Sequence, residues 1–125
     1  LEFVGSVDVY KRQGHSYVLT DGGVIVGTFS FIIGDEPTYR VLLNGHWHAD
    51  RPYGTIHRLA SKGTAHGVAR ACFSFCLGIM DYVRIDTHEN NHTMQSAITG
   101  YGFRKCGNIY ASNGTLRTAY DFIRP

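Results

Sequence analysis

The sequence contains little charge and few of the residues that cross-link or interrupt a chain. Charged residues make up 18% of its 125 residues, and it has only 3 cysteines and 3 prolines. The formal net charge is +2 and neither sign clusters, so no basic stripe is present to follow a phosphate backbone. The longest apolar stretches fall well short of the ~20 residues that span a bilayer. Nucleic acid and membranes are therefore not expected partners.

The cysteine content also limits the setting of the protein. Three cysteines cannot all pair with one another, and Cys72 and Cys76 lie one helical turn apart in an apolar segment. Buried, reduced thiols are the better interpretation, which predicts a cytoplasmic protein. Apolar residues make up 43% of the chain, enough for one folded core, and 15 glycines with 8 tyrosines favour many turns and strands.

The first residues have an unusual composition. Residues 1–13 read LEFVGSVDVYKRQ and lack the features of a secretory signal. The run 4–13 resembles the translation of a transposon-end adapter, which predicts that residues 1–13 are non-native and that residues 14–125 form a single domain. An ordinary edge strand is the alternative, because Phe3, Val7 and Val9 are good strand formers.

Two periodicities divide the chain into strands and helices. Alternation bounded by turn residues predicts strands at residues 16–20, 24–33, 38–43, 55–60, 81–87, 103–110 and 116–123. Spacings of three and four residues predict a central helix from about Gly67 to Ile79, after the fourth strand, and a second short helix that ends at Tyr101. The expected fold is α+β, with the central helix buried against a sheet.

Two of the predicted strands carry finer expectations. Asp21-Gly22 tolerates the positive φ of a hairpin turn, so the first two strands are expected to form a hairpin. In the strand 81–87, Val83 and Ile85 are expected on one side and Arg84 and Asp86 on the other, as in a half-buried strand.

The turn between the fourth strand and the central helix is rich in small residues. It reads Ser-Lys-Gly-Thr-Ala-His-Gly at residues 61–67, and Lys62, His66 and Arg70 bring positive charge to it. Small residues allow close approach to the unpaired amides at a helix start, which suits a phosphate group. An ordinary strand-to-helix connection is the alternative.

The spacing of this turn and of later residues resembles the GCN5-related N-acetyltransferase (GNAT) family. Residues 64–69, Thr-Ala-His-Gly-Val-Ala, correspond to the family's coenzyme A signature Arg/Gln-x-x-Gly-x-Gly/Ala, with Thr64 as a departure at its first position. Asn91 before the second helix and Gly102-Phe103 after it match a second family feature. The likeness covers roughly residues 16–123 and is closest to small bacterial members.

The resemblance implies a fold, an activity and a cofactor site. The fold would be a mixed, mostly antiparallel twisted sheet with splayed central strands. The activity would be transfer of an acetyl group from acetyl-CoA to a primary amine, by direct attack in a ternary complex. The residues expected to bind acetyl-CoA are Leu59, Ala60, Thr64, Ala65, His66, Gly67, Val68, Ala69 and Asn91.

This sequence departs from the pattern of the family in two respects. The family often places a tyrosine acid seven residues after the asparagine, where this chain has Ile98, and Tyr101 nearby is better explained as core. The N-terminal strand and two helices that form part of the family's amine pocket are not found before Ser16, which predicts an N-terminally truncated chain. A catalytically impaired module that only binds coenzyme A is therefore the alternative function.

Candidate proton acceptors lie on the strands around the expected cleft. His57 has a reference pKa near neutrality, which suits a general base. Asp86 and Glu89 at the end of the next strand are the other catalytic candidates, with His88 between them. A packed or solvent-facing histidine and solvated carboxylates are the alternatives.

A metal centre and the assembly state are open at this stage. His46, His48 and Asp50 are spaced like metal ligands, but a surface loop explains them better, so no metal is predicted. The acceptor is expected to be the amine of a small molecule or a peptide. The strands at the chain end leave a homodimer open.

Overall fold

The computed structural model describes residues 2–8, 14–63 and 67–125. Its elements are β1 (Glu2–Asp8), β2 (Gly14–Asp21), β3 (Val24–Ile33), a 3-10 helix (Pro37–Tyr39), β4 (Gly54–Ser61), α1 (Val68–Ile79), β5 (Tyr82–His88), α2 (His92–Tyr101), β6 (Arg104–Tyr110) and β7 (Leu116–Ile123). The strands form one sheet in the order β1-β2-β3-β4-β5-β7-β6. Only β4 and β5 are parallel. The predicted mixed, mostly antiparallel α+β fold is confirmed.

The first strand occupies the edge of the sheet. β1 pairs antiparallel with β2 from Glu2 opposite Thr20 to Asp8 opposite Gly14. The Phe3 ring stacks on Phe75 of α1 with ring centroids 4.2 Å apart. Residues 9–13 lie outside the described residues, and the non-native origin of residues 1–13 stays a prediction.

The predicted third strand at residues 38–43 is wrong. Pro37 begins a 3-10 helix instead, because its fixed φ suits the first helical position and Glu36 caps the turn by accepting a bond from the Thr38 amide at 2.9 Å. The chain then crosses to β6, where Leu43 forms an isolated bridge with Asn108.

Both helices cover one face of the sheet. Val68, Cys72, Phe73, Cys76 and Leu77 of α1 are buried against it, as the apolar stripe predicts. Ile98 of α2 joins the same core. No helix among the described residues is long and apolar enough to cross a bilayer.

The opposite face is covered by the loop between the 3-10 helix and β4. This loop and the sheet enclose a second apolar cluster of Tyr39, Tyr53, Tyr82, Ile109 and Ala119, with Trp47 packed against it. The expectation that β5 is half-buried is therefore wrong at Arg84, whose exposure is 6%. Its guanidinium lies 4.1 Å from the Trp47 ring centroid and 4.0 Å from that of Tyr53. Aromatic faces stabilise a cation that has left water.

The loop reaches β6 by a close approach of backbone to backbone. A Cβ atom at Gly45 would lie 1.7 Å from the carbonyl oxygen of Cys106. The His46 amide donates to that same oxygen at 3.0 Å. Only glycine allows the two chains to pack this closely.

We expect Gly45→Ala to lower the free energy of unfolding by about 1–3 kcal/mol, because the methyl group overlaps a main-chain oxygen that cannot rotate away. Urea denaturation measures the change. Gly78→Ala is the control, since nothing lies within 4 Å of its added Cβ in the last turn of α1. That substitution should raise stability by about 0.5–1 kcal/mol. Equal stability of the Gly45 variant and the unchanged protein would contradict the close approach.

Candidate active site

The central strands separate after a short parallel contact. β4 and β5 pair only at Gly54–Val83, Thr55–Arg84 and Ile56–Ile85. Beyond Ile56 no ladder pair joins these two strands, both of which the structure describes in full. The edge of β4 that faces β5 therefore presents main-chain N–H and C=O groups that the sheet does not use. The expected splay of the central strands is confirmed.

A bulge in β4 accompanies the separation. The register with β3 shifts between Thr28, which faces Ala60, and Ser30, which faces His57. In this interval β4 has one more residue than β3. Arg58 lies in the interval and has a φ of 56°. A non-glycine residue with positive φ stores backbone strain, and such strain is concentrated at functional sites. The bulge bends β4 away from β5 at the point where the cleft opens.

Two cavities meet at this opening. The larger has a volume of about 530 Å³ and is lined by residues of β2, β3, β4, β5 and the turn between β6 and β7. The smaller, of about 110 Å³, lies between the ends of β4 and β5 and the start of α2. The residues that line both are Ile56, Arg58, Asp86 and Arg117. The two cavities therefore adjoin, and a ligand in the smaller one would lie next to a ligand in the larger one.

His57 faces the larger cavity in contact with a buried carboxylate. Its Nε2 atom lies 3.0 Å from Oε1 of Glu36, which is buried. The other carboxylate oxygen of Glu36 accepts bonds from the amide and hydroxyl of Thr38 at 2.9 and 3.0 Å. The Glu36 amide in turn donates to the Tyr53 hydroxyl at 2.8 Å. Glu36 is held from several sides and so fixes the orientation of the His57 ring.

Asp86 stands where the cavities join, with both carboxylate oxygens engaged. The Tyr39 hydroxyl donates to its Oδ2 at 2.5 Å, and Nε of Arg117 lies 2.6 Å from its Oδ1. The Arg117 contact is an ion pair whose angle does not satisfy a hydrogen bond. Burial, and then the charge of Asp86, raise the pKa of Tyr39 well above its ordinary value. Tyr39 therefore remains a neutral donor. The Asp86 carboxylate lines both cavities while each of its oxygens contacts a partner.

The N-cap residue of α1 is a glycine. Gly67 is the N-cap with a φ of 78°, and it provides no side-chain cap. The amides of Val68 and Ala69 belong to the first turn, whose N–H groups have no partner within a helix. Thr64, Ala65 and His66 lie outside the described residues, so their predicted role stays a prediction. Among the described residues, no atom lies within 4 Å of a Cβ added at Gly67.

Three further predicted cofactor-binding residues lie beside the splay. Leu59 lines the smaller cavity, and Ala60 lies on β4 opposite Thr28. Asn91 also lines the smaller cavity and caps α2, since its Oδ1 accepts a bond from the Met94 amide at 3.1 Å. The structure thus brings Leu59, Asn91 and the α1 start to the same end of the sheet.

Other candidate residues lie away from the cleft. Glu89 is exposed in the turn after β5 and lines neither cavity. His88 accepts a bond from the Asn90 amide at its Nδ1 atom. Tyr101 packs among Phe73, Phe103 and Phe122, as expected for a core residue, and its hydroxyl contacts Ser74 at 3.0 Å. The packing supports a structural role for Tyr101, and the catalytic role expected of Glu89 stays a prediction.

The three cysteines are buried. Burial raises the pKa of the Cys72 thiol, with the neighbouring Cys76 adding to the effect. Burial, and then Asp121, raise the pKa of the Cys106 thiol. A protonated thiol is a weak nucleophile, so covalent catalysis by either has no support. The three cysteines are free, in agreement with the prediction of reduced thiols.

Glu36, Tyr39 and Arg117 are site residues that sequence reasoning missed. Tyr39 lies in a segment wrongly predicted to be a strand, Glu36 lies just before that segment, and Arg117 is one of many arginines without periodic signal. The sequence Glu-Pro at residues 36 and 37 was the available signal, because it marks a turn that returns a carboxylate toward the preceding strand.

Solved structures share this architecture, among them a GNAT-family acetyltransferase. A GNAT-family acetyltransferase from Streptococcus agalactiae has a TM-score of 0.80 and 28% identity, covering 88% of this chain, and this chain spans 65% of that protein's length. The NatC complex bound to Gag peptide and CoA has a TM-score of 0.62 and 15% identity, with 90% of this chain and 71% of that chain covered. NAA60 of Arabidopsis thaliana with a bisubstrate analogue has a TM-score of 0.64 and 14% identity, with coverage of 90% and 77%.

These similarities differ in what they support. The two more distant structures share the fold, and the streptococcal protein shares sequence as well. No protein-family model matches the sequence, and no curated protein matches it. The resemblance stated from the motifs is confirmed by the structural neighbours.

We expect Asn91→Ala to lower the free energy of unfolding by about 1 kcal/mol, because the Met94 amide loses its side-chain acceptor. Asn91→Asp keeps an acceptor oxygen at the same place and should leave stability within a few tenths of that of the unchanged protein. Urea denaturation of both variants measures the difference. If the alanine and aspartate variants unfold at the same urea concentration, Asn91 does not act as a cap.

Proposed function

We propose that this chain, a member of the GNAT family by its fold and sequence similarity, is an N-acetyltransferase that transfers an acetyl group from acetyl-CoA to a primary amine. The separation of β4 from β5 carries the proposal, because it joins a narrow cavity to a wider one that is lined by the His57–Glu36 pair. The acceptor is the amine of a small molecule or of a peptide. The thioester supplies the activated acyl group, and the chain supplies position, charge and a proton acceptor.

The cleft between β4 and β5 fits an extended pantetheine arm. The β5-facing edge of β4 offers unused main-chain groups near Leu59 and Ala60, which pair with amides as an added strand does. Asn91 places its side-chain amide on the opposite wall of the smaller cavity. The start of α1 would then face the pyrophosphate, where the amides of Val68 and Ala69 and the helix dipole favour an anion.

His57 acts as the general base in this proposal. The Nε2–H group of His57 donates a hydrogen bond to the Glu36 carboxylate. In this tautomer the basic lone pair lies on Nδ1. The proton leaves the acceptor amine for His57, and Glu36 stabilises the imidazolium that forms. Main-chain N–H groups on the β5-facing edge of β4 stabilise the developing oxyanion. Asp86 and Arg117 form the charged wall between acyl donor and amine.

A coenzyme A-binding module without turnover is the second candidate. It is favoured by Ile98, which stands where the family often has a tyrosine acid and is fully buried in the core. This chain spans 65% of the streptococcal relative's length, so turnover by this chain does not follow from the likeness. Binding and turnover therefore require separate measurements.

We expect acetyl-CoA at 100 times its dissociation constant to stabilise the protein by about 2.7 kcal/mol, measured by thermal shift. Gly67→Glu should remove this shift, because it places bulk and negative charge beside the pyrophosphate. Absence of a shift for the unchanged protein at millimolar acetyl-CoA would refute both candidate functions.

Two controls separate charge from strain. Gly78→Glu adds the same charge at the opposite end of α1 and should keep the shift. Gly67→Ala imposes the backbone strain at a φ of 78° without the charge, and it should also keep most of the shift. A folded Gly67→Glu variant that still binds would place the phosphate elsewhere.

We expect His57→Gln to lower kcat by about 100-fold or more, because a positioned general base contributes at least that factor. Release of the coenzyme thiol across a panel of primary amines measures turnover. The affinity for acetyl-CoA should not change, since His57 lines the larger cavity and not the smaller one.

His15→Gln is the matched control, because His15 lines the same cavity from β2 and is exposed. It should retain nearly the full rate. If both histidine variants are equally active, His57 is not the base. If the unchanged protein binds acetyl-CoA but releases no thiol with any amine, the binding module replaces the enzyme.

A further inference from the structure

A second group of polar side chains lies outside the cleft, under the loop that covers the sheet. His48 of the loop, Cys106 of β6 and Asp121 of β7 each present one donor atom, and these atoms all lie within 4.8 Å of one another. Cys106 and Asp121 are buried, and His48 is partly buried. None of the three lines either cavity of the candidate active site.

Asp121 anchors this group. Its Oδ2 accepts bonds from the His48 amide and the Tyr82 hydroxyl, both at 2.8 Å. Its Oδ1 lies 2.6 Å from His48 Nδ1. Burial alone would raise the pKa of Asp121, but the bonds from His48 hold it below its ordinary value. One oxygen is thus fixed by two donors, and the other is aimed at the imidazole.

Cys106 completes the group from the neighbouring strand. Its Sγ lies 3.4 Å from Nδ1 of His48. Both Cys106 and Asp121 therefore converge on the same ring nitrogen. A Cys-His-Asp nucleophile relay needs the acid and the thiol on different nitrogens of the ring, so this arrangement is not one. Convergence of three donors on one point is instead the geometry of an ion site.

We propose that His48 Nδ1, Cys106 Sγ and Asp121 Oδ1 bind one divalent zinc-like ion that fastens the loop to β6 and β7. Sulfur, imidazole nitrogen and carboxylate oxygen are all zinc ligands, and three protein ligands leave a fourth position for solvent. His48 has a side-chain exposure of 14%, so the site borders water.

The distances need little adjustment for such an ion. Tetrahedral zinc bonds of about 2.0–2.3 Å hold the donor atoms roughly 3.3–3.6 Å apart. The sulfur and nitrogen atoms are already 3.4 Å apart, and nitrogen and oxygen have to separate from 2.6 Å. The nitrogen–oxygen distance has to grow by about 0.7 Å to reach the lower tetrahedral value, and the three donor atoms already lie within 4.8 Å of one another. The two outer bonds to Asp121 Oδ2 orient the ligating carboxylate, as partners of metal ligands do.

Charge and protons balance on binding. The thiol loses its proton to solvent, and the His48 proton moves from Nδ1 to Nε2 so that the lone pair faces the ion. Thiolate and carboxylate then neutralise the two positive charges, which makes burial of the ion tolerable. Arg84 nearby keeps its own aromatic partners and the Ala49 carbonyl, which it contacts at 3.0 Å.

The site connects to the wall of the active-site cleft through the loop. Trp47, next to His48, donates from Nε1 to the Tyr39 carbonyl at 3.1 Å, and the Tyr39 hydroxyl bonds Asp86. An ion at His48 would thus hold the segment that positions Asp86. The sequence pattern His46, His48 and Asp50 identified one ligand only, because the other two come from distant strands.

Titration of the apoprotein with Co²⁺ and with Zn²⁺ tests the proposal. We expect one Co²⁺ per chain with a thiolate-to-cobalt charge-transfer band, displaced by one Zn²⁺, and a rise in melting temperature with Zn²⁺. Cys106→Ser should abolish the band and weaken Zn²⁺ binding by about 100-fold or more, since even outer partners of ligands contribute 10–100-fold. His48→Gln should weaken Zn²⁺ binding to a similar extent.

Matched variants separate this site from other cysteines and histidines. Cys72→Ala removes a buried thiol of α1 and should keep the band and the affinity. His46→Gln removes the exposed neighbour of the loop and should also keep them. The proposal is overturned if no band forms, or if Zn²⁺ binding is lost with His46→Gln but kept in a folded Cys106→Ser variant. In either case, the three side chains only hold the loop by hydrogen bonds.

Discussion

The structure depends on the short parallel contact between β4 and β5. Three paired residues on each strand are enough to continue the sheet, and the strands then diverge because β4 bulges at Arg58. Had the ladder continued to Ser61, its main-chain groups would be satisfied and no cleft would exist. The separation both opens the smaller cavity and turns His57 toward the larger one. The proposed binding and chemistry thus depend on main-chain groups that the sheet leaves unpaired.

The two faces of the sheet stabilise the chain in different ways. On the helical face, apolar side chains of α1 and α2 provide burial in the ordinary sense. On the other face, tyrosines and Trp47 surround Arg84, and Asp121 binds the loop. The loop follows Glu36 and Tyr39 in the chain and contacts Tyr39 through Trp47, so the polar face also positions the residues around His57 and Asp86. Its order is therefore a condition for the geometry of the cleft.

Local patterns predicted the parts of the fold that depend on neighbours in sequence. The hairpin of β2 and β3, both helices and the strands flanking them follow from turn residues and periodicity. The strand predicted at residues 38–43 was wrong because Pro37 and the Glu36 cap favour a 3-10 helix. Alternation of side chains detects strand propensity but not these two effects. The burial of Arg84 was not predicted for another reason. The aromatic rings around its guanidinium include Trp47 of a loop that no sequence pattern connects to β5.

The candidate site shows the same division. His57 and Asp86 were found because they lie on predicted strands at the expected cleft. Their partners Glu36, Tyr39 and Arg117 come from elements distant in sequence, and only the topology joins them. The proposed ion site of His48, Cys106 and Asp121 is an extreme case, with one residue from each of three elements.

The bridge of the loop to β6 has a consequence for how two chains meet. β6 is the last strand of the sheet, and its outer edge already bonds Leu43 through Asn108 in both directions at 2.8 Å and His46 through Cys106 at 3.0 Å. These main-chain groups are not available to template a strand of another molecule. The loop thus opposes edge-to-edge polymerisation. A sheet could run across two subunits at this edge only after the loop had detached from β6.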